Sequence, residues 1–258
     1  MFSLQGRVAL VTGAGRGIGR GIAVGLAAQG AKIACAARTR SQLDEAVAAI
    51  REAGGEGLAF ELDMGDMDSL DRVVAAVLEE FGQIDILVNN AGMNIRQPIE
   101  EVSEENFDQI MAVNFKGLYF LSQKVARHMV ERKQGKIINI GSLTTGYALA
   151  KVSVYGATKG AVGQITRAQA VEFGPHNIQV NAICPGPVEG ERMRNVIEHR
   201  ARQLGKAPEV VRREYLESAA LGRMVSPEDV AATVAFLASP EGDSITGQAV
   251  DVSAGYGL

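Results

Sequence analysis

The chain has 258 residues, of which 47% are hydrophobic and 22% are charged, and its formal net charge is −4. This composition is ordinary for a soluble globular protein, and a chain of this length buries a large core without disulfide bridges. The acidic balance argues against a broad nucleic-acid-binding surface, and no apolar run approaches the roughly 18 residues that a membrane span requires.

The cysteines and histidines are too few and too scattered to predict a disulfide framework or a metal site. The two cysteines are Cys35 and Cys184, and the three histidines lie far apart in the sequence. The N-terminal residues run into an apolar strand and lack the basic region and cleavage site of a signal peptide. We therefore expect a cytoplasmic protein with reduced thiols, no bound metal, and no membrane or nucleic-acid partner.

A glycine-rich turn follows the first predicted strand. The apolar run from Arg7 to Thr12 breaks into Gly13-Ala-Gly-Arg-Gly-Ile-Gly19, and a helical pattern begins at Arg20. In a strand–turn–helix arrangement, the free backbone N–H groups at the start of the helix receive phosphate. The flanking elements favour a dinucleotide site, and a tight turn without a ligand is the alternative.

The second predicted strand, residues 31–37, ends next to Arg38. In dinucleotide-binding folds, an acidic residue at this strand end binds the 2′-hydroxyl of NAD, whereas an arginine accommodates the 2′-phosphate of NADP. Ala37 stands where an acid would, and Arg16 lies in the glycine turn, so we expect NADP(H) in preference to NAD(H). Asp63 ends the third predicted strand and is placed to reach the adenine. An exposed arginine without a ligand is the alternative interpretation of Arg38.

Strands and helices alternate along the whole chain, without a linker, an internal repeat or a low-complexity segment. This alternation predicts a single α/β domain over residues 1–258, with one doubly wound parallel sheet and helices on both faces. Ligands bind at the carboxyl ends of the strands in such sheets, where the polar turn Asn89-Asn90-Ala91-Gly92 falls. The predicted strands cover residues 7–12, 31–37, 57–62, 84–88, 136–140, 178–184 and 247–252, and a helix of residues 103–132 contains Asn114.

A serine, a tyrosine and a lysine lie around the fifth predicted strand. Ser142 follows the strand, and Tyr155 and Lys159 are four apart on the next predicted helix, so their side chains share one face. A nearby ammonium favours the phenolate, which would let the tyrosine act as an acid or base. Ser142 could donate a hydrogen bond to the oxygen that is oxidised or reduced. Tyr-x-x-x-Lys also occurs by chance on helices, so the rest of the chain has to decide.

The region from residue 188 to residue 219 is polar and rich in arginine. It follows Pro185-Gly-Pro187 at the carboxyl end of the sixth strand, so a helical lid over the site is the functional hypothesis. A solvated helix pair with salt bridges is a compatible alternative.

Taken together, these motifs resemble those of the short-chain dehydrogenase/reductase family over essentially the whole chain. The resemblance rests on Thr12-Gly13-x-x-x-Gly17-x-Gly19, Asn89-Asn90-Ala91-Gly92, Asn114, Ser142, Tyr155-x-x-x-Lys159 and Pro185-Gly186. It implies a Rossmann-type sheet of seven mostly parallel strands in the order 3-2-1-4-5-6-7, and a homotetramer.

The resemblance also implies a role for each motif residue. Tyr155 would be the acid/base, Ser142 would hold the substrate oxygen, Lys159 would bind the nicotinamide ribose, and Asn114 would support a water relay. Cofactor contacts are expected from Gly13, Arg16, Gly17, Ile18, Gly19, Arg38, Asp63, Met64, Asn90, Ala91, Gly92, Tyr155, Lys159, Pro185, Gly186 and Val188.

The substrate is less closely specified. The segment from Asn90 to Pro98 looks like the gluconate 5-dehydrogenase group, and Arg96 in that segment would suit a carboxylate. Leu143 and Pro187 are further candidates for substrate contact. The layout is also similar to 3-oxoacyl carrier-protein reductases, and the sequence of the lid departs from both groups. A non-catalytic module that senses NADP is the alternative from a different class of function.

Overall fold

The computed structural model describes residues 2–258, and these residues form one seven-stranded sheet surrounded by helices. The strands are β1 (Val8–Thr12), β2 (Lys32–Ala37), β3 (Glu56–Glu61), β4 (Ile86–Asn89), β5 (Gly135–Ile140), β6 (Ile178–Pro185) and β7 (Ala249–Val252). The helices are α1 (Gly17–Ala28), α2 (Arg40–Glu52), α3 (Met67–Phe81), α4 (Glu104–Met111), α5 (Gly117–Arg132), α6 (Ser153–Phe173), α7 (Glu191–Leu204), α8 (Pro208–Glu217) and α9 (Pro227–Ala238).

The strand order β3-β2-β1-β4-β5-β6-β7 confirms the predicted doubly wound topology. Every neighbouring pair of strands is parallel. The order reverses between β1 and β4, and the crevice at such a reversal is where open α/β sheets bind ligands.

The sheet is buried on both faces, because apolar side chains of the strands point alternately to two cores. One core is formed with α1, α2 and α9, and includes Ile22, Leu43 and Val234. The other is formed with α3, α5 and α6, and includes Leu70 and Val125. Within residues 2–258, no helix combines the length and apolar character needed to cross a membrane.

A buried carboxylate joins several elements at the amino edge of the sheet, opposite the crevice. Asp85 is 2% exposed, and its Oδ2 accepts hydrogen bonds from the backbone N–H of Val8 and from Gln83, both at 2.8 Å. Its Oδ1 accepts from the Arg132 guanidinium at 2.9 Å. A buried charge requires such partners, because removing it from water is costly. Asp85 therefore links β1, β4 and the end of α5.

The predicted helix of residues 103–132 is interrupted in the structure. Ser103 caps α4 as expected, since its hydroxyl accepts the N–H of Asn106 at 3.2 Å. The chain then makes a π-helical turn, Ala112–Lys116, before α5 begins. Turns of this kind are rare and occur frequently at functional sites. Asn114 lies in this turn and is 1% exposed.

Two smaller differences concern element ends. The last strand begins at Ala249 instead of Gly247, because Gly247 has a φ of +72°, which lies outside the extended backbone of a strand. Helix α1 begins at Gly17 instead of Arg20, so the final glycines of the turn already belong to the helix.

Candidate active site

The glycine turn after β1 packs closely against neighbouring backbone and side-chain atoms on one of its sides. An ideal Cβ on Gly19 would lie 2.1 Å from the carbonyl oxygen of Gly13 and 2.5 Å from Asn90 Nδ2, so the turn has no room for a side chain there. Gly17 has a φ of +55°, and nothing lies within 4 Å of the position of its missing Cβ. The turn is therefore tightly packed on its inner side and open on its outer side.

The start of α1 offers free donors at this open side. The N-cap residue Arg16 makes no capping hydrogen bond with its side chain, and the first turn contains no acidic residue. The first N–H groups of a helix need an acceptor, and the helix dipole favours an anionic one. The geometry fits the phosphates of a dinucleotide, because both the donors and the space are present.

One hydroxyl connects the glycine turn to the loop after β4. Thr12 Oγ1 accepts the N–H groups of Asn90 and Ala91, each at 3.0 Å, and donates to the carbonyl of Val88 at 3.3 Å. In return, the Asn90 amide donates to the carbonyl of Thr12 at 2.8 Å. The two loops that line the crevice are thus held together by a reciprocal set of hydrogen bonds.

Asn114 fastens the next part of the same loop. Its Oδ1 accepts the N–H of Met93 and its Nδ2 donates to the carbonyl of Met93, both at 2.8 Å. Nδ2 also donates to Thr158 Oγ1 at 3.3 Å, and that hydroxyl donates to the carbonyl of Tyr155 at 2.7 Å. Asn114 therefore couples the loop to the first turn of α6.

Ser142 lies at the carboxyl end of β5, where the chain enters a single 3₁₀ turn. Its hydroxyl oxygen accepts the N–H of Thr144 at 3.2 Å, which leaves the hydroxyl hydrogen available for another acceptor. Thr145 completes the turn, because its Oγ1 accepts the N–H of Ser142 at 3.4 Å and donates to the carbonyl of Lys159 at 3.3 Å. The hydroxyl of Ser142 is therefore held in place by the turn and by α6.

Lys159 is a buried ammonium group of the site whose pKa is lowered. It is 4% exposed, and its Nζ donates to the carbonyl of Ile140 at 2.7 Å and lies 5.6 Å from the centre of the Tyr155 ring. Burial lowers its pKa, the neighbouring Tyr155 acts in the opposite direction, and the charge of Arg192 lowers it further. The predicted group of Ser142, Tyr155 and Lys159 is thus brought together at one sheet edge, with Tyr155 half-buried beside the crevice.

The predicted cofactor contacts differ in exposure. Arg16 and Arg38 are exposed on the glycine turn and after β2. Asp63 is exposed too, and its Oδ1 accepts the N–H of Gly65 at 2.9 Å. Met64 is 4% exposed and packs in the core, so only its backbone is available to a ligand. Ile18 also packs partly against the core.

The segment after β6 leads into the two helices of the arginine-rich region and is held by backbone bonds on the way. The N–H of Gly186 donates to the carbonyl of Val252 at 2.9 Å, and residues 187–189 pair with Val225. Helices α7 and α8 pack chiefly against each other, with a small core of their own around Ile197 and Val211. The predicted helical region is therefore present as a helix pair.

Two arginines stand near the crevice outside the predicted catalytic group. Arg96 is exposed, and the next residue bonds through its N–H to the carbonyl of Lys151 at 3.0 Å, which places this loop beside the one that follows Ser142. Arg192 belongs to the first turn of α7 and acts on the buried Lys159 charge. Arg192 lies in the arginine-rich region, far from Lys159 in the sequence, so no spacing pattern predicted its effect on this lysine.

Comparisons with known proteins agree with this arrangement. The family profile for short chain dehydrogenase matches residues 7–201. Galactitol 2-dehydrogenase of Agrobacterium fabrum is 39% identical over 98% of this chain and 98% of its own length. Short-chain reductase protein NovJ of Streptomyces niveus is also 39% identical, over 97% of this chain and 94% of its own. Gluconate 5-dehydrogenase of Gluconobacter oxydans is 36% identical, with coverages of 99% and 96%.

Solved structures share the fold as well. Xylitol dehydrogenase bound to NAD+ superposes with a TM-score of 0.92 at 31% identity, covering 97% of this chain and 99% of its own. A variant of actinorhodin polyketide ketoreductase with NADPH gives a TM-score of 0.94 at 34% identity, covering 97% of each chain. These two neighbours carry different nicotinamide cofactors.

Proposed function

Because the chain belongs to the short-chain dehydrogenase family, we propose that it interconverts a secondary alcohol and a ketone on a sugar acid or polyol, with NADP(H) as cofactor. The observation that carries the proposal is the buried Lys159, whose Nζ lies between the end of β5 and the Tyr155 ring, beside the turn that presents Ser142. A buried ammonium at this position has a chemical use in stabilising a phenolate.

Each side chain of the group has a distinct task in the proposed reaction. When bound, the nicotinamide would donate or accept hydride at the substrate carbon. The free hydroxyl hydrogen of Ser142 would bond the substrate oxygen, and Tyr155 would give that oxygen a proton or take one from it. Lys159 would stabilise the phenolate by its charge and would retain donors for the ribose. Asn114 would position the loop that covers this face.

The cofactor is proposed to lie across the glycine turn and the end of β2. The uncapped start of α1 would hold the phosphates, and Asn90, Ala91, Gly92, Pro185, Gly186 and Val188 would line the nicotinamide half. Arg16 and Arg38 have no ion-pair partner among residues 2–258, so both are available to a 2′-phosphate. This availability supports NADP(H) over NAD(H).

An acidic substrate is supported by the two arginines near the crevice. Arg96 and Arg192 are exposed and lack an ion-pair partner within the described residues, whereas Arg212 on the same helix pair is bonded to Glu189 at 2.7 Å. An arginine fork can bind a carboxylate with two hydrogen bonds. Leu143 and Pro187 would contact the carbon chain. Among the relatives, gluconate 5-dehydrogenase is named for a sugar acid, whereas galactitol 2-dehydrogenase is named for a neutral polyol.

To test the proposal, the purified protein is offered three substrates: 5-keto-gluconate, a neutral keto-hexose and an acetoacetyl thioester. Reduction of each is measured with NADPH and with NADH. Turnover of the keto acid with NADPH supports the proposal. Turnover of the thioester alone would move the protein to the 3-oxoacyl reductase alternative, for which the ketoreductase neighbour is the supporting observation. A higher kcat/KM with NADH would overturn the role given to Arg16 and Arg38.

One substitution distinguishes a loss of catalytic turnover from a loss of cofactor binding. Tyr155→Phe removes the acid/base hydroxyl and should lower kcat by a factor of about 10² or more while NADPH affinity stays nearly unchanged. Tyr119→Phe, at an exposed tyrosine of α5 away from the crevice, is the matched control. Turnover retained in Tyr155→Phe would contradict the mechanism, and it would favour the alternative of a non-catalytic NADP-sensing module.

A homotetramer is proposed as the assembly. Exposed apolar side chains lie on the outer faces of three helices, at Phe107 on α4, Tyr119 on α5 and Val171 on α6, and Val171 is 77% exposed. Contact with further copies would cover them. Light scattering coupled to size exclusion tests this: a mass of about 27.3 kDa would contradict it.

A cytoplasmic setting with reducing conditions is proposed as well. Cys35 and Cys184 are both buried and unpaired, and burial raises the pKa of Cys35 to about 12, which keeps this thiol protonated. Neither cysteine depends on an oxidising compartment. Localisation of a tagged chain is the direct test.

A further inference from the structure

The segment Ser253–Leu258, called the tail segment here, lies against the base of the helix pair α7–α8. It forms an antiparallel contact with the residues that leave α8. The backbone hydrogen bonds run from Ala220 N–H to Gly255 at 3.2 Å, from Leu221 N–H to Ala254 at 3.0 Å, and from Gly257 N–H to the carbonyl of Ser218 at 3.2 Å. The tail segment thus continues from β7 at the edge of the sheet to the helix pair.

Side chains of three elements meet where the tail segment touches the helix pair. The Tyr256 ring stacks on the Tyr215 ring of α8, with centroids 6.1 Å apart and an interplanar angle of 22°. The Arg200 guanidinium of α7 lies 5.4 Å from the centre of the Tyr215 ring, and its Nη1 donates to the Tyr215 hydroxyl at 3.4 Å. We call Arg200, Tyr215 and Tyr256 the clasp.

The surroundings of Tyr256 combine burial with the electrostatic effects of the clasp and of one residue in the loop after Ser142. Burial raises the pKa of Tyr256, the neighbouring Tyr215 adds to the rise, Arg200 opposes it, and Tyr147 contributes a further increase. Tyr147 is half exposed and is separated from Ser142 only by the 3₁₀ turn and Gly146.

The helix pair packs chiefly on itself. Its small core of Ile197, Ala201, Val211 and Met224 is separate from the two cores of the sheet. Its ion pairs, such as Arg212 with Glu189 and Lys206 with Glu214, are solvent-exposed, and exposed pairs contribute little. An aromatic pair and a cation over a ring contribute comparably or more when partly buried. Within the clasp, Arg200 joins α7 to α8, and the stack of Tyr215 on Tyr256 attaches this pair to the tail segment, beside the backbone bonds described above and the packing of Met224.

We propose that Tyr256 is a positioning residue that holds α7 and α8 over the crevice, so that the tail segment governs how tightly the alcohol or ketone substrate is captured. The inference rests on the proposed function, which places the substrate in this crevice, and on the predicted role of α7 and α8 as a helical lid over it. Tyr256 acts through Tyr215 and Arg200 and takes no part in hydride or proton transfer. Its loss would therefore affect substrate binding and spare the chemical step.

The first arm of the test is steady-state kinetics of Tyr256→Ala, Tyr256→Phe and Arg200→Ala with whichever substrate proves active. Tyr256→Ala should raise the substrate KM about 3- to 10-fold, with kcat and the cofactor Kd within about 2-fold of the parent. Tyr256→Phe keeps the ring and should restore the parent KM. Arg202→Ala is the matched control for Arg200→Ala, because Arg202 is exposed on the same helix and is not part of the clasp.

The second arm needs no substrate and so separates failure of this inference from failure of the proposed function. Hydrogen exchange of peptides from residues 191–217 should be faster in Tyr256→Ala than in Tyr256→Phe, while peptides of α1 and α5 stay protected. Equal exchange of the helix pair in these two variants would overturn the inference, as would an unchanged KM in Tyr256→Ala. If Tyr256→Ala does not fold, Arg200→Ala against Arg202→Ala decides both arms.

Discussion

Asn114 holds the backbone of Met93 from both sides, with its amide oxygen on the Met93 N–H and its amide nitrogen on the Met93 carbonyl, each at 2.8 Å. The amide thereby gives the backbone of Met93 the two hydrogen bonds that a neighbouring strand would otherwise provide. Because the π-helical turn directs this side chain into the interior, the interruption of the helix has a structural use. The same amide also donates to the Thr158 hydroxyl, which in turn donates to the carbonyl of Tyr155 in the first turn of α6.

We expect Asn114→Leu to lower both stability and activity. Leucine has a similar volume but leaves the Met93 backbone groups unpaired, and an unsatisfied buried polar group costs about 1–3 kcal/mol. Unfolding in urea should show a loss of this size, and kcat/KM should fall. Asn106→Ala, which removes a more exposed amide contact with Gln97, should change either quantity far less. Equal stability of Asn114→Leu and the parent would refute this account of the turn.

Gly19→Ala should disable cofactor binding. A Cβ there would meet the Gly13 carbonyl oxygen at 2.1 Å and the Asn90 amide at 2.5 Å, so the turn must open and lose its donors. Titration with NADPH should show an affinity at least about 10-fold weaker. Gly174→Ala serves as the control, since nothing lies within 4 Å of the added methyl group. Parent-like affinity in Gly19→Ala would mean that the turn does not hold the cofactor.

Arg192→Gln should move the alkaline limb of the pH–rate profile to higher pH. Burial is the main cause that lowers the Lys159 pKa, Tyr155 and Cys184 oppose it, and Arg192 lowers it further. Removing that positive charge raises the Lys159 pKa, so the ammonium persists to higher pH. Arg194→Gln is the control, because two residues along a helix point to nearly opposite sides. A shift toward lower pH, or the same shift in both variants, would contradict the prediction.

The start of α9 offers a prediction about stability. The Ser226 hydroxyl accepts the Asp229 N–H at 3.1 Å, and the Asp229 carboxylate accepts the Ser226 N–H at 2.9 Å. Ser226→Ala should cost about 1 kcal/mol, or a decrease in Tm of about 2–4 °C for a chain of this size. Ser244→Ala, an exposed serine outside any cap, should leave Tm unchanged.

The same cap should respond to acid. Bonding to Arg223 is the main cause that lowers the Asp229 pKa from its ordinary 3.8, and the Ser226 N–H adds to it. Because the Asp229 pKa is lower in the folded protein than in the unfolded chain, the stabilisation is complete at a pH above the unfolded-state pKa. It disappears as the pH falls through the folded-state pKa. The stability gap between the parent and Asp229→Asn should therefore persist at neutral pH and close below about pH 4. A difference in stability between the parent and Asp229→Asn that grows as the pH falls would contradict the lowered pKa of Asp229.

The alternation of strands and helices predicted a doubly wound parallel sheet, and the family resemblance implied its strand order and the roles of Ser142, Tyr155 and Lys159. Alternating strands and helices allow few topologies, and Ser142, Tyr155 and Lys159 follow consecutive elements that meet at one edge. Their approach is local in sequence, so spacing predicts that they lie near one another, whereas a catalytic role was predicted only from the whole set of motifs. The structure confirms the fold, and the roles of these residues stay predictions.

Other features left no readable pattern in the sequence. A π-helical turn adds one residue to an otherwise helical stretch, and the apolar periodicity around Asn114 does not reveal it. Whether the Met64 side chain points to the ligand or to the core depends on how the chain leaves β3. The contact of Arg200 and Tyr215 with Tyr256 joins distant segments, and no short-range rule brings them together.

Lys159 is bonded twice to the segment around Ser142, once from its ammonium to the carbonyl of Ile140 and once at its own carbonyl, which accepts from Thr145. The distance between the serine hydroxyl and the helix that carries the tyrosine is therefore set before any ligand arrives. A site organised in advance spends little substrate binding energy on arranging its own reacting groups. Evolution or engineering could then remodel α7, α8 and the tail segment for new substrates without rebuilding the reaction centre.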